Sequence, residues 1–332
     1  MRIDTLFLDE AVEGDSYAER ILKQLEPQKI IRFTEFNSIF QGREYLAKRT
    51  LTNVVVTKKH GELIKEAPRA YGYGSHERHF YHIHAYNCVY ECHYCFLQGY
   101  FKSPDLVFFV NHDEILQAIT EKLIAHPRER LWLHSGEFSD SLALSHISGE
   151  LPFYFDYFRK HPNAFLELRT KSSNLSVLRR EKPSQNIIVS FSLSGERQAA
   201  EFDALAPSVT KRIDSLKIAM TLGYRGAIHF DPLIYANNWK DDFENTVNYL
   251  CSRINPSEIV YVSLGVVRFS KAVFQAIKVH YPESNLLARH YIVGEDQKVR
   301  YVKPFRMAVL EAAKEILKKH GFSEEQIYFC ME

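Results

Sequence analysis

Residues 79–98 read HFYHIHAYNCVYECHYCFLQ. The first nine, His79–Asn87, are rich in aromatic residues and read as a β-strand. The rest opens a loop that sets Cys88, Cys92 and Cys95 in a C-x3-C-x2-C array. A strand that delivers clustered ligands from its C-terminal end suits a parallel α/β protein, in which sites collect at that end.

Working outward, the same alternation of strand and helix recurs. Further β-rich runs lie at Leu131–His134, Phe165–Thr170, Ile187–Leu193, Ala227–Ile234 and Ile259–Val267. Between them, Asp113–Ala125, Ser208–Leu222 and Asp241–Ile254 carry apolar residues at helical spacing. Six strands with intervening helices predict an α/β fold of right-handed βαβ units. A partial, six-unit TIM-type barrel suits that count better than a closed eight-unit one. A doubly wound sheet also accommodates six strands, and pattern alone does not choose between them.

Residues 1–75 read as an N-terminal extension, with a Gly- and Tyr-rich loop at Arg69–Ser75. Residues 76–285 form the barrel, and 286–332 a C-terminal segment whose helix, Phe305–His320, ends at the C-cap candidate Gly321.

The chain has 332 residues, 45% hydrophobic and 25% charged, with a net charge of +1. That composition excludes disordered, collagenous and coiled-coil classes, and the charge gives no sign of a nucleic-acid partner. No apolar run approaches the roughly 20 residues needed to cross a bilayer. The acidic start MRIDTLFLDEAVEGD lacks the features of a signal peptide, so a cytoplasmic protein with no membrane partner is expected. Three of the five cysteines fall within eight residues, a pattern of metal or catalytic chemistry rather than of a disulfide framework.

Closely spaced thiolates in one loop suit an iron–sulfur cluster, and three of them leave a fourth iron open to a small-molecule chelate. The alternative is a zinc-binding module, for which His93 is the nearest fourth donor, strained by its place between two of the cysteines. Beyond the second strand, Ser135, Gly136 and Glu137 form a turn that lets backbone approach a ligand and offers it a carboxylate. Lys171 and Ser172 end the third strand, and Ser192 lies in the fourth. His229 and Asp231, late in the fifth strand, are candidate substrate contacts. His76, His79, His82 and His84 invite a metal reading, but their strand alternation separates them. Lys298, Arg300, Lys303 and Arg306 read as a solvated basic stretch.

The cysteine array, with Tyr94 beside its last member, resembles the signature of radical S-adenosylmethionine (SAM) enzymes. CHYCFLQ at 92–98, SD at 139–140, TK at 170–171 and FSLS at 191–194 resemble the spore photoproduct lyase-like family in particular. Weaker likenesses are AKRT at 47–50 and RYVK at 300–303. The resemblance implies a 4Fe–4S cluster on Cys88, Cys92 and Cys95. It also implies SAM held by Tyr94, Ser139, Lys171 and Ser192, with Ser135, Gly136 and Glu137 in the cofactor-binding turn and Tyr94 in a catalytic role. The implied partners are DNA or a nucleotide-like substrate and a flavodoxin- or ferredoxin-like electron donor. The family repairs a methylene-bridged thymine dimer and returns a hydrogen atom to the product through a cysteine assisted by tyrosines. Here Glu137 occupies the cysteine position and Phe96 one tyrosine position. The hairpin expected to engage lesion DNA is expected to give way to helix at VKPFRMAVLEAAKEI. A paralogue acting on another substrate is the alternative those departures suggest.

Overall fold

The structure is a computed structural model that describes residues 3–40, 52–68, 72–74, 77–101 and 103–331. All six expected strands form, as Arg78–His82, Leu131–Ser135, Ala164–Thr170, Ile187–Ser192, Arg225–Leu233 and Ile259–Val266. Each pairs in parallel with the next. Ile64–Glu66 adds an antiparallel edge beside the first strand, and Ile327–Phe329 a parallel edge beside the sixth. Strand order therefore follows chain order without reversing, whereas a doubly wound sheet reverses at a switch point. The two edges do not pair with each other, so the sheet is an open, partial barrel.

The helices lie where their apolar spacing put them. His112–Ala125 buries Ile115, Leu116 and Ile119 against the barrel. Val209–Thr221 starts at Ser208, whose side chain accepts from the Lys211 N–H as an N-cap. Trp239–Arg253 buries Phe243, Val247 and Leu250. Residues 171–186 cross from the third strand to the fourth without a helix.

A second sheet was not foreseen. Its strands run in the order Lys29–Phe33, Ile3–Asp9, Thr52–Thr57, Leu106–Phe109, Ala85–Tyr86. The last two come from the connection between the first and second barrel strands. The chain thus leaves the barrel, pairs with the N-terminal sheet on both sides of the cysteine loop, and returns. The AKRT stretch at 47–50, His76 and part of the Arg69–Ser75 loop lie outside the described residues.

The C-terminal helix spans Lys303–Lys319, and Gly321, at φ +96°, closes it by donating its N–H to the Lys318 carbonyl. The helix expected at VKPFRMAVLEAAKEI therefore forms. A hairpin does precede that helix: Ile292–Val293 pairs antiparallel with Lys298–Arg300, which also pairs with Arg268–Ser270. Strands of two and three residues leave too short an alternation to be read from sequence. The basic stretch is not uniformly solvated either. Arg306 is buried and donates to the Tyr301 carbonyl at 3.0 Å, while Arg300 pairs with Asp296 at 2.9 Å.

Candidate active site

The cysteine loop is fixed at its neck. Asn87, at φ +65°, adopts the left-handed conformation that asparagine tolerates, and its amide donates to the carbonyls of Ser103 (2.8 Å) and Asp105 (2.6 Å). Inside the loop, Glu91–Cys92 pairs antiparallel with Asp203–Ala204, and the Gln98 amide donates to the Cys92 carbonyl at 2.7 Å. Cys92 is buried, Cys88 and Cys95 are half-buried, and all three line one cavity of about 460 Å³. That volume falls within the roughly 300–1,000 Å³ of small-molecule sites. The cavity opens at the C-terminal ends of the barrel strands, where Gly136, Lys171, Ser192, Asp231 and Arg268 also reach it.

The donor set, three cysteines of one loop lining one cavity, suits a 4Fe–4S cubane. Among the described residues, no three His, Cys, Asp or Glu side chains converge on a point that would hold one metal ion. A 4Fe–4S cluster does not ask for that, because each thiolate takes a separate iron. His93 turns away: its Nδ1 pairs with Ser284 Oγ at 3.1 Å and its ring stacks on Tyr281 at 4.1 Å.

One wall of the cavity surrounds the cysteines with a braced set of polar groups. The Tyr94 hydroxyl donates to Asp203, which pairs with the fully buried Arg212 at 2.7 Å. Arg212 in turn donates to the Ser192 carbonyl at 3.1 Å. Lys171 Nζ lies 5.3 Å from the centre of the Tyr94 ring. Burial opposes its charge, but Cys92 and Asp203 outweigh that and raise its pKa. Burial likewise pushes the Cys92 thiol up, with Lys171 pulling it down. Asp140 ties the second strand's loop to the third strand's end: it accepts Thr170 Oγ1 at 2.7 Å, the Lys171 N–H at 2.8 Å and the Ala143 N–H at 2.8 Å. Ser139 lines this wall as well.

Other residues lining the cavity are charged. Asp231 and Arg268 form a two-pronged pair at 3.0 Å on each prong. Glu137 lies 3.6 Å from Arg169, whose other side lies 3.6 Å from Glu167. Burial raises the Glu137 pKa, against the pull of Arg169 and Arg268. Lys298, from the hairpin, also lines the cavity.

The Ser135–Glu137 turn is thus divided. Ser135 faces away and pairs with His84 Nδ1 at 3.0 Å, Gly136 lines the cavity at φ +101°, and Glu137 faces the arginines. Tyr94, Gly136, Glu137, Ser139, Lys171 and Ser192 are brought together with the three cysteines; Ser135 is not. Of the two candidates in the fifth strand, Asp231 reaches the cavity, while His229 lies beneath it, 2.6 Å from Glu167. Of the other histidines, His79 pairs with His134 at 2.8 Å, while His82 packs on Tyr154 with its ring 5.7 Å from that of His84.

The sequence reading missed a buried carboxylate and its partners. Glu167 is fully buried in the barrel interior, where it accepts from Ser190 Oγ (2.5 Å) and Tyr261 OH (2.6 Å) and pairs with His134 and His229. It also missed Arg169 and Arg268. Cys330, to which no role was given, is buried beside Arg268, with Sγ 3.8 Å from a guanidinium nitrogen.

The spore photoproduct lyase family model matches residues 75–329 of the chain. The spore photoproduct lyase of Clostridium acetobutylicum is 23% identical over 220 residues, which cover 65% of each chain. That of Bacillus subtilis is 22% identical over 206 residues, covering 61% of this chain and 60% of the relative. Each match thus spans less than two thirds of the relative's own length. In fold, a spore photoproduct lyase variant with one cysteine replaced by alanine, solved with dinucleoside spore photoproduct, superposes with a TM-score of 0.85 at 17% identity over 98% of both chains. A double variant with bound AdoMet and dinucleoside spore photoproduct gives 0.82, again at 17% identity over 98% of both chains.

Proposed function

As the chain belongs to the spore photoproduct lyase family, whose members are radical SAM enzymes, we propose that it cleaves SAM reductively and abstracts hydrogen from a thymine-dimer lesion or a related nucleotide-like substrate. The observation that carries this reading is the shared cavity: the three cysteines of C-x3-C-x2-C line the same space as Ser139, Lys171 and Ser192, at the mouth of a partial barrel. A 4Fe–4S cluster held by those cysteines would supply one-electron reducing power and an open iron site for SAM.

The chain's own residues bind, orient and enclose. Cys88, Cys92 and Cys95 hold the cluster as thiolates. Lys171 offers a half-buried cation to the carboxylate of SAM, and Ser139 and Ser192 offer hydroxyls. Gly136 is demanded by the neighbouring strand, and its backbone lines the cavity. A Cβ there would lie 2.6 Å from the Arg169 carbonyl oxygen and 2.8 Å from Ser141 Oγ. Tyr94, held by Asp203, forms part of the wall beside the cluster and excludes water from it.

A low-potential donor of the flavodoxin or ferredoxin type would supply the electron. DNA would be the macromolecular partner, and the cytoplasm, where thiols stay reduced, the compartment. The five cysteines are all free thiols, and no described helix is long and apolar enough to cross a membrane. The test is thymine recovery from dinucleoside spore photoproduct by anaerobically reconstituted protein with reductant and SAM. Turnover supports repair. Formation of 5′-deoxyadenosine without thymine would assign the same cofactor chemistry to another substrate, and that is the reading Glu137 and Phe96 favour if repair fails.

A further inference from the structure

The charged part of the cavity lining is built around one arginine held between two carboxylates. Behind it, Glu167 collects Ser190, Tyr261, His134 and His229 around its two oxygens. A carboxylate buried this deeply persists as an anion only where donors and a cation surround it. Arg169 supplies the cation, with Nε 3.6 Å from Glu167. The guanidinium is therefore fixed from behind. Its outer side lies 3.6 Å from Glu137, and both residues line the cavity. Asp231 and Arg268 neutralise each other through their two-pronged pair, and Asp140, Lys171 and Lys298 line the same cavity.

The cavity thus presents an acceptor, Glu137, directly beside a donor, Arg169. A cationic ligand group would meet Arg169, Arg268 and Lys298, and an anionic one would meet Glu137 and Asp231. The complementary ligand is neutral and offers an N–H next to a C=O. Taking the proposed nucleotide substrate as given, we propose that Glu137 and Arg169 read the edge of the substrate base. Glu137 accepts from the imide N–H of a thymine ring, and Arg169 donates to the carbonyl beside it. Glu137 is then a specificity-determining contact to substrate rather than a ligand for the SAM ammonium, and Glu167 is the positioning residue behind it.

The experiment compares binding of dinucleoside spore photoproduct with that of its counterpart methylated at N3 of both rings, using anaerobically reconstituted protein with SAM present. The unmodified compound should bind about tenfold or more tightly, the scale of one charge-assisted hydrogen bond left unmade. Glu137→Leu should bring the two affinities within about twofold of each other, and Glu137→Gln, which keeps an acceptor, should retain a preference. Equal binding of the two compounds by the wild type overturns the proposal, and that arm needs no variant to fold. A loss of SAM affinity in Glu137→Leu with the discrimination intact would place Glu137 on the cofactor and also overturn it. If neither compound binds, the repair reading falls together with the proposal, so the two failures are distinguishable.

Discussion

Cys88, Cys92 and Cys95 stand on one cavity wall, while Cys251 and Cys330 lie elsewhere, Cys330 behind Arg268. Replacing any of the first three with alanine should abolish most bound iron after anaerobic reconstitution, measured by iron content and visible absorbance. Cys251→Ala and Cys330→Ala should keep it. Lys171→Met removes the half-buried cation beside Tyr94 and should weaken SAM binding about tenfold or more in equilibrium dialysis. The cysteines could be read from sequence because their spacing is local. Glu167 could not. In FLELRT it reads as the polar half of a strand alternation, and its partners His229 and Tyr261 lie 62 and 94 residues further along. No local pattern records that the polar face of this strand points into a barrel rather than into water.

At the scale of elements, the site depends on short connections held by side chains. Asp140 joins the second strand's loop to the third strand's end through Thr170 and the Lys171 N–H. Asp140→Ala leaves those donors without an acceptor and should cost roughly 1–3 kcal/mol in chemical denaturation. The Asp203–Arg212 pair braces Tyr94 against the fourth strand. Asp203→Ala strands a fully buried guanidinium and should cost roughly 3–5 kcal/mol, measured the same way. The six barrel strands were recognisable because each is a continuous β-rich run. Leu106–Phe109 was not, since it lies in the connection between two barrel strands and its partner, Thr52–Thr57, comes from the N-terminal region. Ile327–Phe329 offers only three residues, and what makes it a strand is its pairing with Val262–Leu264.

Across the whole molecule, buried histidines set the response to acid. Burial lowers the pKa of His79, His84 and His229 to about 4 and that of His112 to about 3. Unfolded, each would titrate near 6.5, so between that value and its folded pKa the unfolded chain binds more protons. Their contribution is complete above pH 6.5 and is lost as pH falls toward 4, by on the order of 1 kcal/mol per group per pH unit. Glu150 acts in the opposite sense. Burial raises its pKa to about 7, so acidification through that value favours the fold. Burial also lowers the pKa of His82 and raises that of Glu137. The buried histidines outnumber the raised glutamates and so predict a melting temperature that falls steadily from pH 7 to pH 5 in scanning calorimetry; a flat profile would contradict this. At the barrel mouth, Cys88, Cys92 and Cys95 line a cavity of about 460 Å³. The most direct measurement is 5′-deoxyadenosine formation by anaerobically reconstituted protein given dithionite and SAM, with Cys92→Ala beside it. Product from the wild type and none from the variant is the expected result. No product from wild type carrying a full, reduced cluster, with dinucleoside spore photoproduct present or absent, would contradict radical SAM chemistry at this site.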